Sequence, residues 1–149
     1  MIPADGGEAR QVCTTPNGVN DLEWSPDSKR ITFLSLDGEE PKSEPLVAAP
    51  NRHQRLWTIW PDYDIPEPIT PDDLTVWEYA WSLVGQHFAI YYSTGSDDAD
   101  WYCGQIGIVS AVGGAVRQLT HLTRQASAFA WSPDGSRLAY ISFEWNVAS

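Results

Sequence analysis

The sequence has few basic residues, few cysteines and no long apolar run. Nine Lys and Arg stand against twenty Asp and Glu, a formal net charge of −11, which disfavours nucleic acid because its binding depends on clustered cations. Cys13 and Cys103 are too far apart for a disulfide framework or a metal motif. No apolar run approaches the ~18 residues of a transmembrane helix, and residues 1–7 do not resemble a signal peptide. These absences predict a cytoplasmic chain with free thiols and no nucleic-acid or membrane partner.

What the sequence does contain is eight tryptophans and a repeated turn. The clearest copy reads Trp-Ser-Pro-Asp-Gly-Ser-Arg from Trp131, with apolar residues on both sides. Proline, aspartate and glycine in this order favour a tight turn, and the flanking runs predict a β-hairpin. A second copy begins at Trp24 and a degenerate third at Trp81. Three copies indicate a repeat protein.

A second feature recurs at a fixed distance before each hairpin. Twelve residues separate Val12 from Trp24, Ile69 from Trp81 and Leu119 from Trp131. The full period varies, with 57 residues between the first two tryptophans and 50 between the last two. The length difference falls in the loop between the second and third strands, as repeat proteins allow.

Each repeat therefore reads as four short strands, A to D, with strand A ending at the hairpin tryptophan. Short strands without helical periodicity predict an all-β fold, and the period matches a β-propeller blade of four antiparallel strands. We expect a half blade of strands C and D in residues 1–14, blades in 19–70 and 76–120, and a half blade of strands A and B in 126–149.

Two local expectations follow from this assignment. Strand A is innermost in such blades, so Trp24, Trp81 and Trp131 should be largely buried between neighbouring sheets. Gly135 should have a positive φ, whereas Ser28 at the same turn position indicates that this copy tolerates a residue other than glycine.

The hairpin motif, followed by Gly-Gly and a strand ending in Leu-Thr, resembles the propeller repeat of TolB and of the prolyl oligopeptidase family. Within that family it looks most like the N-terminal propeller of dipeptidyl and acylaminoacyl peptidases. In such enzymes the propeller covers a separate α/β-hydrolase domain. Here no Gly-x-Ser-x-Gly nucleophile elbow occurs, and about three blades are present. The resemblance implies blade type and not a substrate.

The titratable residues that could suggest a site have plainer interpretations. His53, His87 and His121 share no spacing, so we assign them packing or surface roles instead of catalysis or metal binding. Asp97, Asp98 and Asp100 could hold a hard cation, but they lack the Asp and Gly pattern of a calcium loop, so a solvated loop is favoured. Asp27 and Asp134 occupy turn positions that need aspartate locally.

Aromatic residues crowd the middle repeat and could line a peptide or sugar pocket, although packing between blades is the favoured interpretation. They are Trp57, Trp60, Tyr63, Trp77 and Tyr79. Nothing in the sequence assembles a nucleophile, a base and an oxyanion site. We therefore expect no catalytic, cofactor-binding or metal-binding residues.

The sequence predicts a non-catalytic propeller module for assembly and recognition. One alternative is a portion of a serine peptidase that works with a separate hydrolase domain, and another is a small-molecule binder at the propeller's central channel. Three blades cannot close a ring, since propellers have typically about four to eight. The expected partner is a second copy in a head-to-tail homodimer of six blades, with a peptide or a hydrolase domain as further partners.

Overall fold

The computed structural model describes residues 1–38 and 52–143, which form three antiparallel β-sheets. The first sheet contains β1 (Asn20–Trp24), β2 (Ile31–Leu36), β3 (Gln54–Ile59) and β4 (Glu67–Pro68). The second contains β5 (Thr75–Trp81), β6 (His87–Ser93), β7 (Gln105–Ser110) and β8 (Arg117–Thr120). The third contains β9 (Gln125–Trp131) and β10 (Leu138–Phe143).

Neighbours in sequence are neighbours in each sheet, so both four-stranded sheets have the order of a propeller blade. A short 3-10 helix, Asp98–Cys103, lies between β6 and β7. No helix in residues 1–38 and 52–143 has the length and apolar character needed to cross a membrane. The all-β class with four-stranded antiparallel blades is confirmed, while closure by a second copy stays a prediction. Residues 39–51 of the loop between the second and third strands of the first blade, and residues 144–149 of the last half blade, lie outside the described residues.

The three hairpins share one turn geometry. The serine after each tryptophan donates its backbone N–H to the residue five positions on, at 2.8 Å for Ser25 and Ser132 and 2.9 Å for Ser82. Its carbonyl accepts from the residue three positions on at 2.8 Å in every copy. The recurring sequence therefore encodes a recurring backbone.

Ser28 does not relax this turn. Its φ is 58°, against 68° for Gly85 and 69° for Gly135 at the same position. The predicted positive φ of Gly135 is confirmed, and the first copy accommodates a residue other than glycine at this position, as predicted. The serine adopts the left-handed conformation and bears its cost, because both hydrogen bonds of the turn fix the backbone there.

Residues 1–14 contain no strand, although strands C and D were predicted there. In their place Met1 and Arg10 exchange both backbone hydrogen bonds, at 2.7 and 2.8 Å. This pair corresponds to Ile108 and Arg117 of the second sheet, and the Gly6-Gly7 turn corresponds to Gly113-Gly114, all with positive φ. The segment thus repeats a C–D turn, with too few paired residues on each side for strands.

The sheets pack face to face. Between the first and second, Leu34 and Leu56 meet Val76, Trp81 and Phe88 in one core. A second core joins Tyr91 and Ile106 of the second sheet to Ala126, with Phe129 and Leu138 packed against it. A third covers the other side of the first sheet, where Val12 and Cys13 lie against Ile31, Phe33 and Ile59.

The hairpin tryptophans differ in burial according to what faces them. Trp81 is 8% exposed because it is covered by the first sheet, and Trp131 is half-buried against the second. Trp24 is 45% exposed, so the prediction that it is buried was wrong. In the described residues no complete sheet packs against the side of the first sheet that carries Trp24.

Replacing Trp81 with alanine should cost about 3–5 kcal/mol of unfolding free energy, because a large aromatic leaves a core. Urea denaturation followed by circular dichroism measures this. The exposed Tyr63→Ala should stay within about 0.5 kcal/mol of the parent chain. A similar loss for both variants would contradict the packing described for Trp81.

Ser28→Gly should stabilise the chain by about 0.5–1 kcal/mol, because glycine removes a left-handed penalty that exceeds its own entropic cost. Lys29→Gly, one residue further along the turn and without a positive φ, should instead destabilise. The denaturant midpoints of the two variants, compared with that of the parent chain, test this. A loss of stability in Ser28→Gly would show that the serine is unstrained.

Candidate functional site

The structure does not gather the three histidines. The Nδ1 atom of His53 lies 2.9 Å from the Thr75 hydroxyl, and His87 begins β6 on the surface. Exposed His121 contacts the Gln118 amide at 3.1 Å. Among the described residues no group of three or more His, Cys, Asp and Glu side chains is placed to hold a metal ion.

The acidic loop caps the 3-10 helix. The Asp97 N–H donates to the Asp100 carboxylate at 2.9 Å, and the Asp100 N–H donates to the Asp97 carbonyl at 2.8 Å. The helix in turn places the Trp101 carbonyl where the Tyr91 hydroxyl donates to it at 2.6 Å. Asp97 and Asp100 therefore have a structural partner in each other, and Asp98 lies in the same turn.

Asp27 and Asp134 hold the hairpin turns. The Ser25 hydroxyl donates to Asp27 at 2.6 Å, and the Ser132 hydroxyl donates to Asp134 at 2.5 Å. The Ser25 hydroxyl bond, with the Lys29 backbone N–H, lowers the pKa of Asp27. Ser132 and Ser136 lower the pKa of Asp134 to about 2. The two carboxylates belong to separate turns and do not form an acid pair.

The aromatic residues of the middle repeat do not share one pocket. Trp57 donates to the Ser35 carbonyl at 3.2 Å on one side of the first sheet, while Tyr79 is buried against the other side. Trp77 donates to the Ser93 hydroxyl at 2.9 Å within the second sheet. Only Trp60 and Tyr63 line a common groove, of about 600 Å³. Most of these aromatics therefore pack, and a joint ligand pocket is not formed.

Carboxylates from the first strands of the first and second sheets line one groove. Asp21 and Glu23 of β1, Glu78 of β5 and the backbone at Ala128 of β9 border a groove of about 400 Å³. The Ala128 N–H donates to the Glu78 carboxylate at 3.0 Å, which links the second sheet to the third. Burial raises the pKa values of Glu23 and Glu78, and the charge of Asp21 raises both further. In a propeller this edge borders the central channel.

In the described residues the side of the first sheet that carries Trp24 is covered only in part, by Val12 and Cys13 over Ile31. Its exposed apolar part, Leu22 and Trp24, is here called the Trp24 face. It borders a groove of about 380 Å³ that Met1 and Ile2 also line. Leu22 is 57% exposed. Exposed apolar patches of this kind are typical of interaction surfaces.

Among residues 1–38 and 52–143 no sheet covers the far side of the third sheet, which is here called the Ile141 face and defined by Ala139 and Ile141. Ile141 is 59% exposed, whereas Leu34, the equivalent residue of β2, is 0% exposed beneath the second sheet. Sequence analysis singled out neither Leu22 nor Ile141. Counting from the hairpin tryptophan would have found them, since they stand two residues before and ten after it.

Comparisons with known proteins agree with this architecture. No family model matches the chain, and no curated protein matches it. Among solved structures the chain is similar to "The structure of putative TolB from Agrobacterium tumefaciens", at 23% identity and a TM-score of 0.50. The match covers 85% of this chain and 38% of that one. The fold is thus that of a TolB-like β-propeller, and a likeness at this identity shows the fold alone.

Glu78→Gln should raise stability at pH 7. Because the pKa of Glu78 is raised in the folded chain, the folded state holds the proton more tightly, and stability falls as pH rises above the unfolded value of about 4.3. The amide retains an acceptor for Ala128. The gain should vanish below about pH 4, where the parent carboxyl is protonated in both states. Thermal unfolding across pH measures it, with exposed Glu67→Gln as control. A gain that persists below pH 4 would exclude ionisation as its cause.

Proposed function

We propose that this chain is a non-catalytic β-propeller module that assembles with a second copy of itself and recognises partners through the assembled ring. The observation that supports this most is the presence, in the described part of the chain, of two lateral faces with exposed apolar residues, the Trp24 face and the Ile141 face. Within the chain, sheets bury such faces against each other twice, between the first and second and between the second and third. A sheet buried on one side only leaves apolar area in water, and association removes that area.

The proposal that the chain is not an enzyme is supported by how its candidate groups are used. The three histidines have separate surroundings, and the aspartates of the hairpins and of the acidic loop accept hydrogen bonds from their own turns. The resemblance to the prolyl oligopeptidase family keeps one alternative, a propeller that covers a hydrolase domain. In that case the same ring would act as a filter for peptide substrates.

A second candidate function is ligand binding at the central channel. The acidic groove along β1, β5 and β9 favours a cationic ligand over an anion. A ligand that binds only the folded state raises the melting temperature, so a thermal-shift screen that includes polyamines and basic peptides tests this candidate.

We also propose a cytoplasmic location. Cys13 is half-buried and Cys103 is exposed, and both are free thiols. Burial raises the pKa of the Cys13 thiol, which keeps it protonated and unreactive. Free thiols of this kind suit a reducing compartment.

The purified chain should have a solution mass of about twice the 16.6 kDa of one chain and should not react with a fluorophosphonate probe. Light scattering over a dilution series measures the mass, and a known serine hydrolase serves as the labelling control. A monodisperse monomer would contradict the proposed assembly, and labelling of a serine would contradict the non-catalytic role.

A further inference from the structure

The two interfaces inside the chain follow one rule at the residue two positions before the hairpin tryptophan. Tyr79 holds this position in the second sheet, and its hydroxyl reaches into the first sheet, where the Asp21 carbonyl and, at 3.0 Å, the Thr32 carbonyl lie within hydrogen-bond distance. Phe129 holds it in the third sheet and packs on Tyr91 of the second, with ring centroids 6.3 Å apart. Each sheet therefore inserts this side chain into the sheet that precedes it. Leu22 is the same position in the first sheet, where it is exposed.

The tryptophan follows the same rule. Trp81 donates its Nε1–H to the Thr32 hydroxyl at 2.9 Å, and Trp131 donates to the Ala80 carbonyl at 3.2 Å. Both acceptors belong to the preceding sheet. Trp24 makes no such bond within the described residues, and its ring is nearly half exposed. The Trp24 face thus has the side chains that pack into a preceding sheet, but the described residues contain no preceding sheet for it.

The Ile141 face is the matching receiver. In β2 the residues at these positions, Thr32 and Leu34, are fully buried beneath the second sheet. In β6 they are Ala89 and Tyr91, which are equally buried. In β10 they are Ala139 and Ile141, and both are exposed.

An arginine on the receiving sheet gives a further indication of what binds the Ile141 face. Arg30, six residues after Trp24, stacks on the Trp81 ring of the following sheet at 5.2 Å. Arg137 stands six residues after Trp131 and is exposed. Arg137 at the Ile141 face and Trp24 at the Trp24 face could form the same kind of cation–π pair between two chains. Because each chain has one exposed arginine and one exposed tryptophan at these positions, a second copy can supply the partner for each.

We propose that the Ile141 face of one copy receives the Trp24 face of a second copy, with Leu22 against Ile141 and Arg137 over Trp24. This rests on the proposed pairing of two copies and assigns its geometry. The C–D turn in residues 1–14 of the second copy then lies beside β10, whose outer edge is unpaired in the described sheet. Two such contacts, related by a two-fold axis, close a ring.

Cysteine exchange between variants tests this geometry. In a background of Cys13→Ser and Cys103→Ser, Leu22→Cys and Ile141→Cys are made in separate chains, then mixed and oxidised mildly. Both positions are exposed, so the substitutions should leave the fold intact, as circular dichroism checks. The mixture should give a covalent dimer on a non-reducing gel, and neither variant alone should.

Each other outcome overturns the assignment. A disulfide in Leu22→Cys alone would indicate that two Trp24 faces meet each other. A non-covalent dimer without mixed cross-links would refute this geometry and leave the proposed pairing of copies standing. A monomer that forms no cross-link would point to a blade from another polypeptide and would refute both.

A charge placed on the receiving face provides a second measurement. Ile141→Glu should raise the dimer dissociation constant at least tenfold, since a carboxylate would be buried against Leu22. Val112→Glu, at a fully exposed turn tip, is the matched control and should leave it unchanged. Equal constants for both variants would remove Ile141 from the interface.

Discussion

The structure depends on burying the faces at which neighbouring sheets meet while satisfying the polar atoms that are buried with them. Thr32 shows how this is done. It is fully buried in β2, and its hydroxyl accepts from the Trp81 indole at 2.9 Å and lies 3.2 Å from the Tyr79 hydroxyl. Three polar groups that would each be costly to bury alone satisfy one another at the centre of the interface. Burial raises the pKa of Tyr79 accordingly.

Local chemistry made the repeat predictable. Turn residues act over four or five positions, so the three hairpins and the Gly-Gly turns could be identified from the sequence and have matching hydrogen bonds in the structure. The backbone angle at Ser28 could not be predicted in this way, because serine ordinarily avoids the left-handed region and only the two fixed bonds of the turn impose it. The exposure of Trp24 could not be predicted from the sequence either. Burial depends on the neighbouring sheet, which no local pattern encodes.

The candidate sites also differ in whether their partners are local in sequence. The turn roles of Asp27 and Asp134 could be predicted, since their partners lie within two residues. The dispersal of the aromatic residues required the structure, because alternate positions along a strand point to opposite faces. In β3, Trp57 therefore points away from Leu56, which faces the second sheet and its Tyr79. The acidic edge of Asp21, Glu23 and Glu78 was missed because its members come from different strands brought together by the packing of sheets.

The differences between repeats bear on how Trp24 would find an acceptor. Thr32 offers a hydroxyl to Trp81, but β6 and β10 have Ala89 and Ala139 at that position. Trp131, which packs against the second sheet, donates to the backbone carbonyl of Ala80 instead. A buried indole N–H needs an acceptor, so against a sheet with alanine it must use the main chain. The third sheet resembles the second in this respect, and Ala130 corresponds to Ala80. The proposed interface therefore has an acceptor ready for Trp24 in the Ala130 carbonyl, without any side chain beyond those that the repeat already supplies.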